Sequence, residues 1–589
     1  MKLSISSLFF LILLSWNLLS AQDTTSVIPP NIVLILVDDA ALMDFGCYGG
    51  EAKTPNIDRL AKGGTMFTNY HASPMCAPSR SMLMTGHDSH STGIANLPIF
   101  TPPDYVNKEG YEGVLNDKVY TVATRLKEKN YHTYVTGKWH LGHTETTLPT
   151  KRGFDRSYIL DASGADNYQQ RPYLPIQDAK PPWFKDGKLI DLPEDFYSSK
   201  NLVDEMIQFM EAMPEDENPF FAFLSFLAIH IPVQAPKEYT EKYIDTYQQG
   251  WDIIRQQRCE KAKQLGIIPS DAPIGEMLPN LKKWEDLSEE EQQYRAKAMA
   301  VNAGMLEAMD FHIGRYIQYL EAKGTFDNTI FIITSDNGPE ASATTDLPVM
   351  KMWLKYVGYD QSYERLGERG SVTYIGPEFA SAAAGPSAYF KFYAGEGGLR
   401  VPLVFSGPQI PVDTSINAFS LITDVTPTIL SLAGIDNPKD APIGPMNGKN
   451  LVPLLKGQAT RVYAPNEPVG MEAAARCVLF KDKMKIVKNG KPYGDNVWRM
   501  FDLEKDPGET TDLKTALPEQ FSEMTQDYTN YVQKFGVLEM GTAYEPLMEV
   551  QDKYFRQLKK SILPWLIGLT LLLIGLINRR RKRRKMSKE

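Results

Sequence analysis

Asn31-Ile32-Val33-Leu34-Ile35-Leu36-Val37-Asp38-Asp39 is the stretch on which the fold turns. Its apolar run is rich in β-branched residues, has the length of a strand covered on both faces, and stops abruptly at two acids. Thr329-Ile330-Phe331-Ile332-Ile333-Thr334 repeats the pattern and runs into Ser335-Asp336-Asn337-Gly338. Alternating strand-like and helical segments point to an α/β domain, in which ligands gather beyond the carboxyl ends of the strands. Two acidic strand ends are therefore the first place to look for chemistry.

Working outward, Thr54-Pro55 opens a helix that buries Ile57, Leu60 and Ala61 and stops at Gly63-Gly64. The capping box Ser288-Glu289-Glu290-Glu291 opens a longer one that runs to about Lys323. Residues 237–286 read as a polar, irregular surface insertion, and the Gly- and Ser-rich 340–389 as an active-site rim. Past Leu455 the pattern shifts to short strands at 484–487 and 497–503 and a closing helical region. The expected division is a catalytic domain over 28–455 and a smaller C-terminal α+β subdomain over 456–550. No internal repeat and no low-complexity linker interrupts it.

The 589 residues carry 72 acidic and 63 basic side chains, net charge -9, and 43% hydrophobic residues. That excludes disorder, collagen-like repeats and a polytopic membrane protein. Eight of the positive charges fall in the last eleven residues, so the body is more acidic than the whole, which argues against nucleic acid as a partner. Four cysteines are too few for a disulfide framework and leave one or two bridges open.

Lys2, the apolar stretch that follows and Ser20-Ala21 fit a secretory signal peptide over 1–21, with an uncleaved anchor as the alternative. Residues 562–577 carry no charge and precede Arg579-Arg580-Arg581-Lys582-Arg583-Arg584-Lys585, the pattern of one transmembrane helix with a basic cytoplasmic tail over 578–589. Such a span covers about 24 Å of a ~30 Å hydrocarbon core, so flanking basic residues would snorkel or the bilayer would thin. A basic helix lying on the membrane surface is the alternative. The expectation is an exported, membrane-anchored protein whose catalytic domain faces the periplasm or the extracellular space.

Residues 73–86 read Ser-Pro-Met-Cys-Ala-Pro-Ser-Arg-Ser-Met-Leu-Met-Thr-Gly. Pro78 suits a first helical turn and Gly86 a helix end, which places Cys76 at the positive end of a helix dipole, a place for an anion. Alone, Cys76 reads first as a small core residue. Alone, too, Asp38-Asp39 reads as a turn or cap, and each histidine as structural. Together, two strand ends bearing Asp38, Asp39, Asp336 and Asn337 offer hard oxygen donors, a set for Ca²⁺ or Mg²⁺ rather than zinc.

Cys76, Pro78, Ser79, Arg80, Thr85 and Gly86 resemble the signature of the type I, formylglycine-dependent sulfatases, and of bacterial arylsulfatases most. A second run, Tyr131-His132-Thr133-Tyr134-Val135-Thr136-Gly137-Lys138-Trp139-His140-Leu141-Gly142, resembles another family signature and departs from it only in Asn130, where glycine is usual. A third trace, Phe501-Asp502-Leu503-Glu504-Lys505-Asp506-Pro507, extends the resemblance across about 31–507.

The resemblance implies an alkaline-phosphatase-like α/β fold, a large mixed sheet flanked by helices. It implies that a separate formylglycine-generating enzyme oxidises Cys76, and that the hydrated aldehyde attacks sulfur with one oxygen and releases sulfate through the other. It selects Ca²⁺ over Mg²⁺, held by Asp38, Asp39, Asp336, Asn337 and residue 76. It gives Arg80, Lys138 and Lys391 the sulfate, His230 the leaving alcohol and His140 the turnover of formylglycine. With a divalent ion these three cations total +5 against -3 for the three aspartates, a locally positive pocket in an acidic body. The implied reaction is hydrolysis of organic sulfate monoesters, with small-molecule or glycan sulfate esters as substrates; aryl, alkyl and sugar sulfates stay open. A phosphonate monoester or phosphodiester hydrolase on the same fold is the alternative. A non-catalytic binding protein on such a scaffold is disfavoured because every motif-matched catalytic position holds the expected residue.

Overall fold

The structure is a computed structural model that describes residues 29–541 apart from 176–179, 344–345, 437 and 439, together with scattered positions from 544 to 578. The opening apolar run is strand β1 (Asn31–Val37), and all seven of its residues are buried. It sits inside a ten-stranded sheet. In chain order the other strands are β2 (Gly64–Phe67), β3 (His132–Lys138), β4 (Arg156–Leu160), β5 (Trp183–Lys185), β6 (Lys188–Ile190), β7 (Phe220–Ser225), β8 (Thr329–Ser335), β9 (Leu403–Ser406) and β10 (Thr414–Ile416). The spatial order is β10-β2-β9-β8-β1-β7-β3-β4-β5-β6. The five central strands, β8 to β4, run parallel, while β9 and β5 attach antiparallel on either side. The sheet is mixed and its parallel centre is covered on both faces, as its unbroken apolar strands require.

Two apolar layers flank it. On one face Val33, Ile35 and Val37 pack with Leu202, Met206, Met305 and Met309; on the other Ile32, Leu34 and Leu36 pack with Leu83, Val122 and Leu126. Helices α1 (Pro55–Lys62), α2 (Cys76–Thr85), α3 (Ser198–Glu211), α4 (Trp251–Gln264) and α5 (Glu289–Ala322) supply most of this cover. The Ser288 capping box that opens α5 is present, with Glu291 as its partner. At α1 the expected burial of Ile57, Leu60 and Ala61 is found, but Thr54 does not cap the helix; its hydroxyl donates to Asp58 instead.

A second, four-stranded antiparallel sheet, β11 (Val469–Ala473), β12 (Arg476–Lys481), β13 (Met484–Lys488) and β14 (Trp498–Asp502), is packed by α6 (Pro518–Phe535) through Leu479, Ile486, Met500 and Met524. Buried charge fastens it to the main body. Lys485 reaches Glu396 and Glu509 at 2.8 Å, and His90 lies 3.1 Å from both Asp88 and Glu472.

Two expectations need correcting. Residues 237–286 are not an irregular insertion, because α4 buries Trp251, Ile254, Cys259 and Ala262. Its polar look comes from Arg258, whose guanidinium is buried on Asp44 and Glu51 at 2.7 and 2.5 Å rather than solvated. Nor does the structure support the expected anchor: among the described residues no helix is long and apolar enough to cross a membrane. Half of 562–577 lies outside the described residues, as do the expected signal at 1–21 and the tail from 579 onward. The four cysteines are all free, so the bridges left open by their number do not form.

Candidate active site

Strand register brings the two acidic ends together. Val37 of β1 lies opposite Ser335 of β8, so Asp38 and Asp336 leave adjacent strands at the same height. Leu36 faces Ser225 at the end of β7, and Ser225 faces Gly137 of β3. Four neighbouring parallel strands thus deliver Asp336-Asn337, Asp38-Asp39, the segment leading to His230, and Lys138 with His140 to one edge. The approach is close at Gly137 (φ 107°), where a Cβ would fall 1.7 Å from the Ser225 carbonyl oxygen, so no other residue fits. Beyond the strands the ladder continues: Asp38 donates its N–H to Ala228 at 2.8 Å, and Ile229 donates back to Asp38 at 2.7 Å, which sets His230 beside Asp39.

Helix α2 meets this edge with its N-terminus. Its N-cap, Met75, provides no side-chain bond, which leaves first-turn N–H groups open to an anion. The Cys76 sulfur lies 3.4 Å from Nδ1 of His140. One turn on, Arg80 ties the helix to the strands: Nε donates to Asp336 at 2.8 Å, and Nη1 donates at 2.7 Å to both the Lys138 carbonyl and the Ser225 hydroxyl. Its Nη2 stands 2.8 Å from Asp336 and 3.5 Å from Asp38. Lys138 donates to Asp38 Oδ2 at 2.6 Å. Lys391 lies 2.7 Å from Asp39 and 2.9 Å from Glu340.

Asp39 (φ 72°) and His140 (φ 58°) occupy the left-handed region, uncommon for residues with side chains and concentrated at sites where geometry matters more than backbone comfort. Asn337 donates its amide to Asp39 at 2.6 Å. Two buried acceptors in the cluster, Asp38 Oδ1 and Asn337 Oδ1, have no hydrogen-bond partner. Buried polar atoms left this way cost free energy unless something else engages them. These oxygens, with Asp39 and Asp336, fit a hard divalent cation.

The electrostatics follow from burial. Desolvation pushes the Asp39 carboxyl up to about 8 against the pull of Lys391, and it raises Asp336, helped by Asp38. Burial raises the Cys76 thiol although Lys138 and Lys391 oppose it. His140 and His230 are both held well below an ordinary imidazole, first by burial and then by neighbouring lysines. Burial disfavours the Lys391 ammonium, but Asp39 and Glu340 outweigh it and keep it charged.

All the residues expected from the sequence converge here: Asp38, Asp39, Cys76, Arg80, Lys138, His140, His230, Asp336, Asn337 and Lys391. Two that the sequence reading missed join them. Ser225 ends the apolar run Phe220-Phe221-Ala222-Phe223-Leu224, a strand-end signal of the kind that exposed Asp38. Glu340 follows Asn337-Gly338-Pro339 directly, and its charge narrows the positive surplus of the pocket by one. Asp38, Asp39 and His230 also place three potential ligand atoms within 4.8 Å of one another, so His230 stands within reach of the same ion.

A family model described as Sulfatase matches residues 30–435. The chain belongs to the sulfatase family. A second model, N-sulphoglucosamine sulphohydrolase, C-terminal, matches residues 387–535 of this sulfatase. An arylsulfatase of Klebsiella aerogenes is 36% identical over 432 residues, 72% of this chain and 91% of that one. An uncharacterized sulfatase of Schizosaccharomyces pombe is 34% identical over 86% of this chain and 94% of its own. Among solved structures, Ps i-CgsB in complex with k-i-k-neocarrahexaose is similar with a TM-score of 0.61 at 24% identity, over 85% of this chain and 92% of that one, a likeness of fold. This sulfatase is a sulfuric ester hydrolase on the alkaline-phosphatase-like mixed sheet that its motifs implied.

Proposed function

We propose that this sulfatase cleaves sulfate monoesters of aryl or alkyl alcohols at the edge where α2 meets β8, β1, β7 and β3. The observation that carries the reading is Arg80, which joins the Cys76 helix directly to both acidic strand ends. Burial supports a modified nucleophile. It raises the Cys76 thiol, the reverse of what a reactive cysteine shows, so the side chain is poorly suited to attack as it stands. Converted to formylglycine, residue 76 would supply an oxygen nucleophile as its hydrated aldehyde. A calcium ion held by Asp38, Asp39, Asp336 and Asn337 would add Lewis acidity toward the sulfuryl oxygens.

The chain's own residues do the rest. The open N–H groups of α2, Lys138 and Lys391 draw the sulfate and fix it by charge in a buried site where fixed charge acts strongly. Arg80, bonded on three sides, keeps nucleophile and acids in register. His230 donates Nδ1–H to the Ile231 carbonyl at 2.6 Å, which turns Nε2 toward the cluster, 3.8 Å from Asp39. The negative charge of a bound ester favours the imidazolium that burial disfavours, so Nε2 takes a proton from solvent as the ester binds and delivers it to the departing alcohol oxygen. Neutral His140, against residue 76, accepts a proton from it.

A second reading of His230 has its own support in the three-atom cluster with Asp38 and Asp39: there it is a metal ligand, and an imidazole would favour a softer ion than calcium. Metal content of His230→Ala separates the two, since a proton donor can be lost without losing the ion. Export rests on the N-terminal pattern alone and does not enter the chemistry.

Mass spectrometry of the peptide containing Cys76, taken from active enzyme, tests the central claim. Replacement of sulfur by oxygen is expected; an intact thiol at full turnover would sink it. Comparing kcat/KM on 4-nitrophenyl sulfate and on phosphate diesters tests the substrate class, and a preference for the diester would move the assignment to the phosphonate and phosphodiester hydrolases.

A further inference from the structure

Gly164 lies against the ring of His230. A Cβ built on it would stand 2.7 Å from His230 Nδ1, 2.8 Å from His230 Cε1 and 2.7 Å from the Tyr173 hydroxyl oxygen, distances that real Cβ atoms do not tolerate. Glycine is not required there by the backbone, since Gly164 is absent from the residues with positive φ. It is required by space. Tyr173 is buried in a small cluster with Ile231, Leu354, Tyr359 and Tyr374, so its hydroxyl is held in place from behind. Lys391, Glu340 and Asp38 all act on that hydroxyl, which places it within the field of the site.

We propose that Gly164 and Tyr173 form the seat of His230: the bare glycine admits the imidazole and the tyrosine hydroxyl limits its tilt, so that Nε2 faces the departing oxygen. Both are positioning residues acting through His230, and the inference rests on His230 being the proton donor of the proposed function. As the sulfur–oxygen bond breaks, the electron pair stays on the alcohol oxygen and the proton of Nε2 moves to it. That transfer matters most where the alkoxide is a poor leaving group and least for nitrophenolate. A displaced ring should therefore discriminate between esters, which general loss of structure would not.

The test compares wild type, Gly164→Ala, Tyr173→Phe and His230→Ala on 4-nitrophenyl sulfate and on a primary alkyl sulfate, with melting temperature and bound metal measured on each. Gly164→Ala should lower kcat/KM on the alkyl ester by about 10²-fold, the effect of about an ångström of misplacement, and by much less on the nitrophenyl ester. Its metal content should match wild type. Tyr173→Phe keeps the ring and the packing and should shift selectivity in the same direction by less; it carries the test if Gly164→Ala does not fold. Equal losses on both esters, or none, in these variants while His230→Ala remains selective would overturn the seat alone. A His230→Ala enzyme equally impaired on both esters would remove the proton-donor reading and the seat with it.

Discussion

The carboxylate of Glu340 lies 2.9 Å from the ammonium nitrogen of Lys391. Lys391 therefore stands between two acids, Asp39 and Glu340, and part of its field is already spent before an anion arrives. Glu340→Gln removes one negative charge and keeps the side-chain length. The expected result is a KM for an anionic ester lowered about five-fold, equivalent to about 1 kcal/mol. An unchanged KM in steady-state kinetics would mean that the charge of Glu340 does not reach the substrate.

Arg80 and lysine are not interchangeable at this position. One ammonium cannot serve Asp336, the Lys138 carbonyl and the Ser225 hydroxyl together, as the planar guanidinium does. Arg80→Lys should destabilise the protein by about 2–3 kcal/mol, the worth of a hydrogen bond to a charged group, and lower kcat/KM as well. Denaturant unfolding measures the first and ester hydrolysis the second. A variant with wild-type stability and rate would show that Arg80 does not hold the helix to the strands.

The contribution of Asp39 to the stability of metal-free protein should fall as pH rises. Asp39 is raised from 3.8 to about 8 in the folded chain, so between those values the folded state binds more protons than the unfolded one. Stability from this group is complete below about 4 and is lost as pH climbs toward 8. Calcium favours the ionised carboxylate, so the rise in melting temperature on adding calcium should grow from pH 5 to pH 8. A calcium effect that is flat with pH, or that shrinks, would contradict the placement of the ion on Asp39.

His90 behaves in its own window. Burial works against its charge, but Asp88 and Glu472 together raise it from 6.5 to about 9. Its contribution is present in full below about 6.5 and is lost as pH rises through about 9. Because it joins the segment after α2 to the second sheet, His90→Gln should flatten the decline of stability between those values and lower stability at pH 6. Equilibrium unfolding over that range checks both.

The sequence disclosed the strand ends because strand burial and abrupt acidity are local signals. Asp38 and Asp336 could each be read as an acidic strand end, and the register of Val37 with Ser335 shows that the two ends are neighbours. Helix α4 escaped notice because its inward face includes Arg255 and Arg258, so charge that normally marks solvent here marks buried ion pairs at Arg258 and buried hydrogen bonds to carbonyls at Arg255. Glu340 escaped because its meaning depends on Lys391, far along the chain. Gly164 escaped for a different reason: a residue with no side chain announces nothing until the ring resting on it is seen. The motif residues were legible only as a resemblance, since nothing in spacing alone marks a buried thiol as part of a reactive site.

Four strands bonded edge to edge carry most of the reactive groups, and the backbone ladder, not the surrounding loops, spaces them. Diversification can then act on the mouth while leaving the machinery intact. Chimaeras that exchange residues 341–390 with a relative should therefore keep the strand-end cluster and still break the same bond, because Glu340 and Lys391 flank that segment and none of the cluster lies within it.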